Sequence, residues 1–229
     1  SIAIAIARSR NKEFLPFSEQ LIMQISQYIN NPQDSEALFF YCMKILPSFR
    51  FAIPSEVFVE LMTNIFDFLF NIVYDENGNE NESEDFSLSS YGQCSIIKFF
   101  YSCIFSETLD EYPEILEKIA MVSFNVASID IEYELVNIES DISMYENYSV
   151  FSVFQEDKFL IVDNQQLQKV KNCLSILRRI FIKNIQMIEP IVDDLVELTA
   201  KLLDNTYYTQ IYNSLYRLER LFVPFIEDN

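Results

Sequence analysis

The sequence contains very little glycine and no tryptophan or histidine. Only two of its 229 residues are glycine, Gly78 and Gly92, whereas glycine makes up about 7% of an average globular chain. Sandwiches, barrels and doubly wound sheets need glycine at their tight turns. The scarcity of glycine therefore favours helices joined by polar turns, and we expect an all-α fold.

The lack of histidine and of phosphate-binding motifs limits the possible chemistry. Histidine is the commonest general base and transition-metal ligand, and without it no Ser-His-Asp or Cys-His arrangement can form within the chain. Neither GxGxxG nor GxxxxGK[ST] occurs. We predict no catalytic residue, cofactor or metal site. A helical enzyme that uses carboxylates and Mg²⁺ is the less favoured alternative.

The four cysteines are Cys42, Cys94, Cys103 and Cys173, and none belongs to a CxxC pair. Without histidine, a zinc site would need all four distant thiols together. Each cysteine lies in an apolar stretch with helical spacing. We therefore expect reduced, buried thiols, which are typical of an intracellular compartment.

The net charge is strongly negative, at −19, from 35 acidic and 16 basic residues. Binding to phosphate groups needs clustered basic residues, so we predict no direct nucleic-acid binding. An anionic membrane surface would repel the chain for the same reason. No apolar run reaches the ~18–20 residues that span a bilayer, so we expect no membrane insertion.

Apolar residues recur with helical spacing along most of the chain. Predicted helices cover residues 18–30, 34–47, 54–74, 90–104, 110–128, 131–147, 164–184, 187–203 and 206–225, and residues 2–7 read as the end of another. Successive pairs recur at spacings of about 40 residues, as in HEAT and armadillo repeats. We predict an α-solenoid of antiparallel helix pairs with about ten helices. A compact, irregular helical bundle is the alternative.

This solenoid is predicted to occupy residues 1–229 as one array and to be a fragment of a longer one. Its most ambiguous part is residues 130–162. Leu135, Ile138 and Ile142 have the spacing of a helix over residues 131–147, whereas VFSVFQEDKFLIV, residues 150–162, could form a hairpin around residues 155–158. We favour helix here because the neighbouring segments are helical.

An acidic loop, residues 75–89, interrupts the apolar pattern. Its composition predicts disorder, because it has too few apolar residues to offset the entropy of ordering. It could be a solvated insertion without a function, or a capture loop that attracts a basic protein. We predict partner binding by its six acidic residues. These are Asp75, Glu76, Glu80, Glu82, Glu84 and Asp85.

From Phe14 to Met144, the order of elements resembles the HEAT repeats of nuclear transport receptors, the importin-beta or karyopherin superfamily. The segment EFLPFSEQLIMQISQYINNPQDSEALFFYCMKILPSF looks like one repeat, with a proline-led first helix, a polar turn and a second helix. IPSEVFVELMTNIFDFLF looks like the next first helix, followed by an acidic insertion as in some larger importins. YGQCSIIKFFYSCIF and YPEILEKIAMVSFNVAS resemble the helices after it.

This resemblance implies a non-enzymatic carrier found in both cytoplasm and nucleus. Karyopherins wrap cargo and the small GTPase Ran on an inner helical face and take Phe-Gly nucleoporin repeats on the outer face. Their acidic loops face basic cargo or a basic patch of Ran. We therefore expect a protein-binding scaffold for nuclear transport under the control of Ran. The alternative is another HEAT-repeat scaffold, such as a vesicle-coat, phosphatase or chromosome-complex subunit.

Overall fold

The computed structural model describes residues 90–104, 109–110, 112–129, 131–153, 157–204 and 209–227, and six single positions nearer the N-terminus. The N-terminal segment 2–7, Cys42 and the acidic loop 75–89 lie outside the described residues, as do the predicted helices before residue 90 apart from those single positions. The chain divides into two compact units, Ser1–Val122 and Ser123–Asn229.

Helix α1 covers Ser90–Cys103 and belongs to the first unit. Helix α2 covers Pro113–Ser128, and its first ten residues belong to the first unit. Pro113 suits the first position of a helix, where its missing N–H would have no partner. Glu114 follows in the first turn, where a negative charge interacts favourably with the helix dipole. Both helices confirm the sequence predictions for these segments. The buried residues of α1 cover a wide arc: Cys94, Ile96, Ile97, Phe99, Phe100 and Cys103.

The second unit contains the last turns of α2 and a three-stranded antiparallel sheet. Its strands are β1, Tyr133–Asn137, β2, Tyr148–Val153, and β3, Lys158–Asp163, in the order β1-β3-β2. The central strand β3 buries the continuous apolar run Leu160, Ile161 and Val162. Because successive residues of a strand point to opposite faces, β3 is covered on both faces.

Three helices follow the sheet: α3, Asn164–Lys183, α4, Val192–Asp204, and α5, Thr209–Glu227. Helix α3 begins directly after β3, and the carboxylate of Asp163 caps it by accepting from the Gln165 N–H at 2.8 Å. Two 3₁₀ turns, Ile185–Met187 and Glu189–Ile191, connect α3 to α4. These helices confirm the three helices predicted after residue 164.

Helix α3 contacts both β3 and α5, and α4 contacts α5. The stripe predicted for α5 is buried, with Ile211, Leu215, Leu218 and Phe222 on one face. Helix α4 also contacts the end of α2, where the Lys201 ammonium donates to the Ser128 carbonyl. A cation at the C-terminal end of a helix satisfies a carbonyl that has no partner within the helix.

The predicted all-α solenoid of about ten helices is wrong. The described part of the chain holds five α-helices and a three-stranded sheet. The helix predicted over residues 131–147 is replaced by β1, a turn and the 3₁₀ helix Ser143–Tyr145. Leu135 and Ile138 are exposed, so their spacing does not mark a buried helical face.

The less favoured hairpin interpretation of residues 150–162 corresponds to what the structure contains, β2 and β3. Valine, isoleucine, phenylalanine and tyrosine fit a pleated, half-buried surface better than a helix. The turn between the strands includes Asp157 with φ 50°, a left-handed conformation that aspartate tolerates better than most residues. A turn of this kind therefore forms here without glycine.

The prediction of buried, reduced thiols is confirmed for three of the four cysteines. Cys94, Cys103 and Cys173 are buried, and none of the three forms a disulfide.

Candidate protein-binding edge of the sheet

The partner-binding residues predicted from the sequence all lie outside the described part of the chain, so that site stays a prediction. They are Asp75, Glu76, Glu80, Glu82, Glu84 and Asp85.

A second group of acidic residues belongs to the second unit and includes residues of the sheet. No lysine or arginine occurs between Lys118 and Lys158. Residues 119–157 carry eight acidic side chains: Asp130, Glu132, Glu134, Glu139, Asp141, Glu146, Glu156 and Asp157. Strand β1 is near the centre of this stretch in the sequence, and the one basic residue opposite it in the ladder is Lys158, which pairs with Asn137 at the end of the strand.

Strand β1 is an edge strand, since β3 is its one partner among the described strands. The Ile138 N–H donates to the Asp157 carbonyl at 3.1 Å, one position beyond the last pair of the β1–β3 ladder, Asn137 with Lys158. Antiparallel pairs alternate between hydrogen-bonded and non-hydrogen-bonded. Glu134 and Val136 therefore bond to β3, and the backbone N–H and C=O groups of Tyr133 and Leu135 point outward.

The pairing of β2 with β3 agrees with this assignment. The Asn164 N–H donates to the Asn147 carbonyl at 3.2 Å, so Leu160 and Val162 of β3 bond to β2. The alternate residues of β3, Phe159 and Ile161, then bond to β1. Successive residues of β3 therefore direct their backbone hydrogen bonds alternately to β2 and to β1, as a central strand requires.

The side chains of β1 divide by chemistry between the two faces of the sheet. Tyr133 and Leu135 lie on one face and are 55% and 41% exposed. Glu132 and Glu134 are exposed and lie on the opposite face. We call these four residues the β1 edge. It combines outward-pointing backbone groups with apolar side chains above the sheet and carboxylates below it.

The connection between β1 and β2 crosses the face that carries the carboxylates. The Tyr145 hydroxyl donates to Glu134 Oε2 at 3.1 Å, and its ring contacts Tyr148 edge-on, with 5.5 Å between ring centroids. Partial burial raises the pKa of Tyr145, and the neighbouring Glu134 carboxylate raises it further. This contact holds one oxygen of Glu134 in place.

Within the same connection, the Asp141 carboxylate accepts from the Ser143 N–H at 2.9 Å. This hydrogen bond, with a second from the Ser143 side chain, lowers the pKa of Asp141. The carboxylate closes a local turn at the start of the 3₁₀ helix, as aspartate commonly does.

Strand β2 is the other edge of the sheet, and it differs from β1 in charge. Its residues YSVFSV include no carboxylate and no basic side chain. Tyr148 and Val150 are exposed, but the 3₁₀ helix Ser143–Tyr145 contacts this strand. Thus β1 is the edge where apolar and acidic groups occur together.

The sequence contains a signal for the β1 edge that the helix prediction missed. Residues 129–135, IDIEYEL, alternate strictly between apolar and acidic. Alternation with a period of two is the pattern of a strand with two chemically different faces.

In the described part of the chain, no group of three or more histidine, cysteine, aspartate or glutamate side chains could hold a metal ion. The described helices also include none with the length and apolar character needed to cross a membrane.

No protein-family model matches the chain, and no curated protein matches its sequence. The likeness to nuclear transport receptors therefore stays a prediction.

Proposed function

We propose that this chain is a non-enzymatic protein-binding module that recognises basic segments of other proteins. The observation that carries the proposal is the β1 edge. It exposes Tyr133 and Leu135 beside two glutamates, within a stretch that has no basic residue from 119 to 157.

Each part of the β1 edge has a role in recognition. Exposed tyrosine is among the residues that contribute most to binding at protein interfaces, because its ring adds a large apolar contact area. Exposed carboxylates contribute less affinity, but they attract a basic partner and speed its association. A basic segment with some apolar side chains fits both.

The net charge of −19 also attracts a basic partner, and it acts beyond the residues of the β1 edge. The predicted capture loop would add six carboxylates to this attraction. At physiological ionic strength, such charges act over a Debye length of about 8 Å. Association should therefore be fastest at low salt.

Transport of cargo under the control of Ran is the finer form of this proposal, and its support is the resemblance of residues 14–144 to karyopherins. It predicts that Ran loaded with GTP binds the chain or releases its partner. Vesicle-coat, phosphatase and chromosome-complex scaffolds predict no such effect.

Capture from cell extract, followed by mass spectrometry, tests the proposal. The wild-type chain is compared with Glu132→Gln/Glu134→Gln and with a variant in which the six loop acids become asparagine or glutamine. We expect partners with basic segments to be retained by the wild type and reduced in one or both variants. If the same proteins bind all three chains equally, the proposal is wrong. Adding Ran-GTP to the same capture tests the transport form.

A further inference from the structure

We infer that the β1 edge binds its partner by strand addition: an extended segment that alternates apolar and basic residues pairs antiparallel with Tyr133, Glu134 and Leu135. This inference rests on the proposed function and names the chemistry of the partner. It follows from two features of the β1 edge, the outward backbone groups and the division of side chains between the two faces.

The outward backbone groups set which residues of the added strand make hydrogen bonds. Tyr133 and Leu135 each direct an N–H and a C=O away from β3. Next to them, the Asn137 carbonyl already accepts from the Ser140 N–H at 2.9 Å. An antiparallel strand can thus form hydrogen-bonded pairs opposite Tyr133 and Leu135. Main-chain bonding of this kind gives affinity in known strand-addition complexes.

The two faces of β1 determine which kinds of side chain the added strand needs at each position. Residues directly opposite each other in a sheet lie on the same face, so the residues that bond to Tyr133 and Leu135 must be apolar to cover these side chains. The intervening residue lies opposite Glu134. This pair is not hydrogen-bonded, so the side chains are close, and lysine or arginine there would face the carboxylate.

Charge also favours a basic segment of another protein over the β1 strand of a second copy of this chain. Two antiparallel β1 strands would place glutamates of one copy against glutamates of the other, and like charges directly opposite are destabilising. Acidic edges are one way in which proteins prevent self-pairing of exposed strands.

Synthetic peptides test the inference with the full chain. The probe alternates valine and lysine. One control has the same composition in block order, and another alternates valine and glutamate. Binding is measured by fluorescence anisotropy at low and physiological salt. We expect the alternating valine–lysine peptide to bind, and the peptide with glutamate not to bind.

Backbone methylation of the probe separates strand pairing from simple charge attraction. Methyl groups on the valine amides, which face β1, should weaken binding at least about tenfold, because they remove two or more hydrogen bonds. Methyl groups on the lysine amides, which point away, should change binding by less than about threefold. Amide exchange of Tyr133 and Leu135 should also become slower when the probe binds.

Variants of the protein test the charge pairing. The double substitution Glu132→Gln/Glu134→Gln should lower the affinity for the valine–lysine peptide about two- to tenfold. The matched control is Glu139→Gln/Glu146→Gln, which removes the same charge from exposed positions outside β1, and it should change binding less. Leu135→Pro should abolish binding, since proline removes an outward N–H that the β1–β3 ladder does not use.

The outcomes distinguish the inference from the proposed function. Equal binding of the two methylated isomers, or of the block-order peptide, would overturn strand addition but leave recognition of basic segments standing. If no basic peptide binds at low salt, both are overturned. A concentration-dependent dimer that Leu135→Pro abolishes would also overturn the inference, because the occupant would then be a second copy.

Discussion

Helix α3 and strand β1 lie in the same unit but are held in place by different interactions. Ten of the twenty residues of α3 are buried, and the helix contacts both β3 and α5. None of the five residues of β1 is buried. Strand β1 is held by its hydrogen bonds to β3 and by contacts at its ends, such as the Glu132 N–H to the Gln166 side chain at 3.1 Å.

This difference shows where the unit can bind a partner without losing stability. Burial of apolar side chains supplies most of the free energy of folding, so α3 and its neighbours cannot expose their contact faces. Strand β1 contributes little burial, and its outer side is accessible. Binding regions are commonly found among the elements that contribute least to stability.

The largest effect is expected from truncating a side chain in the middle of α3. Phe181 is fully buried, whereas the next residue, Ile182, is 45% exposed. Phe181→Ala should lower the free energy of unfolding by about 3–5 kcal/mol, measured by urea denaturation. Ile182→Ala is the control and should change it by less than about 0.5 kcal/mol. Similar losses in both variants would contradict the burial pattern of α3.

The same comparison can be made within the sheet, between two leucines that lie directly opposite each other. Leu160 of β3 is 3% exposed, and its partner in the ladder, Leu135 of β1, is 41% exposed. Leu160→Ala should cost about 2–5 kcal/mol, while Leu135→Ala should cost about 0.5 kcal/mol or less. If Leu135→Ala were as destabilising as Leu160→Ala, β1 could not be an accessible edge.

A smaller effect is expected at the junction between β3 and α3. The Asp163 side chain accepts from the Gln165 N–H, which would otherwise have no partner at the start of the helix. Asp163→Ala should lower the free energy of unfolding by about 0.5–2 kcal/mol. Asp163→Asn keeps an acceptor and should lose less. A result in which both substitutions cost the same would mean that the side-chain oxygen does not cap α3.

The smallest effect should be found at high pH, in the connection that crosses the sheet. The pKa of Tyr145 is raised above its usual 10.0 by partial burial and by Glu134. A raised pKa contributes stability that is fully present below pH 10 and is lost as the pH rises through the folded value. Tyr145→Phe should therefore lose less stability than the wild type above pH 10, measured by urea denaturation. Parallel curves would contradict this.

The helices of the second unit could be predicted from the sequence because their signal is local. The stripe of Leu167, Val170, Leu174, Leu177 and Phe181 gave the extent of α3 to within one residue of Asn164–Lys183, and all five residues are buried. Residues three and four apart share a helix face. The pattern is therefore complete within one segment.

The sheet could not be predicted in the same way, because its pairing partners are distant in sequence. Leu135 lies opposite Leu160, and nothing near Leu135 indicates that partner. Leu135, Ile138 and Ile142 also have the spacing of a helix. The alternation in IDIEYEL indicates a strand, but it does not indicate that β3 will pair with one side of β1 and leave the other side open.

The order β1-β3-β2 has a consequence for synthesis on the ribosome. The middle strand is made last, so neither outer strand has its partner until residue 163 has emerged. At roughly 5–20 residues per second, the ribosome needs about one to five seconds to pass from the end of β1 to the end of β3. During this interval the chain between Lys118 and Lys158 carries acidic side chains and no basic one, so like charges disfavour pairing between nascent copies on neighbouring ribosomes.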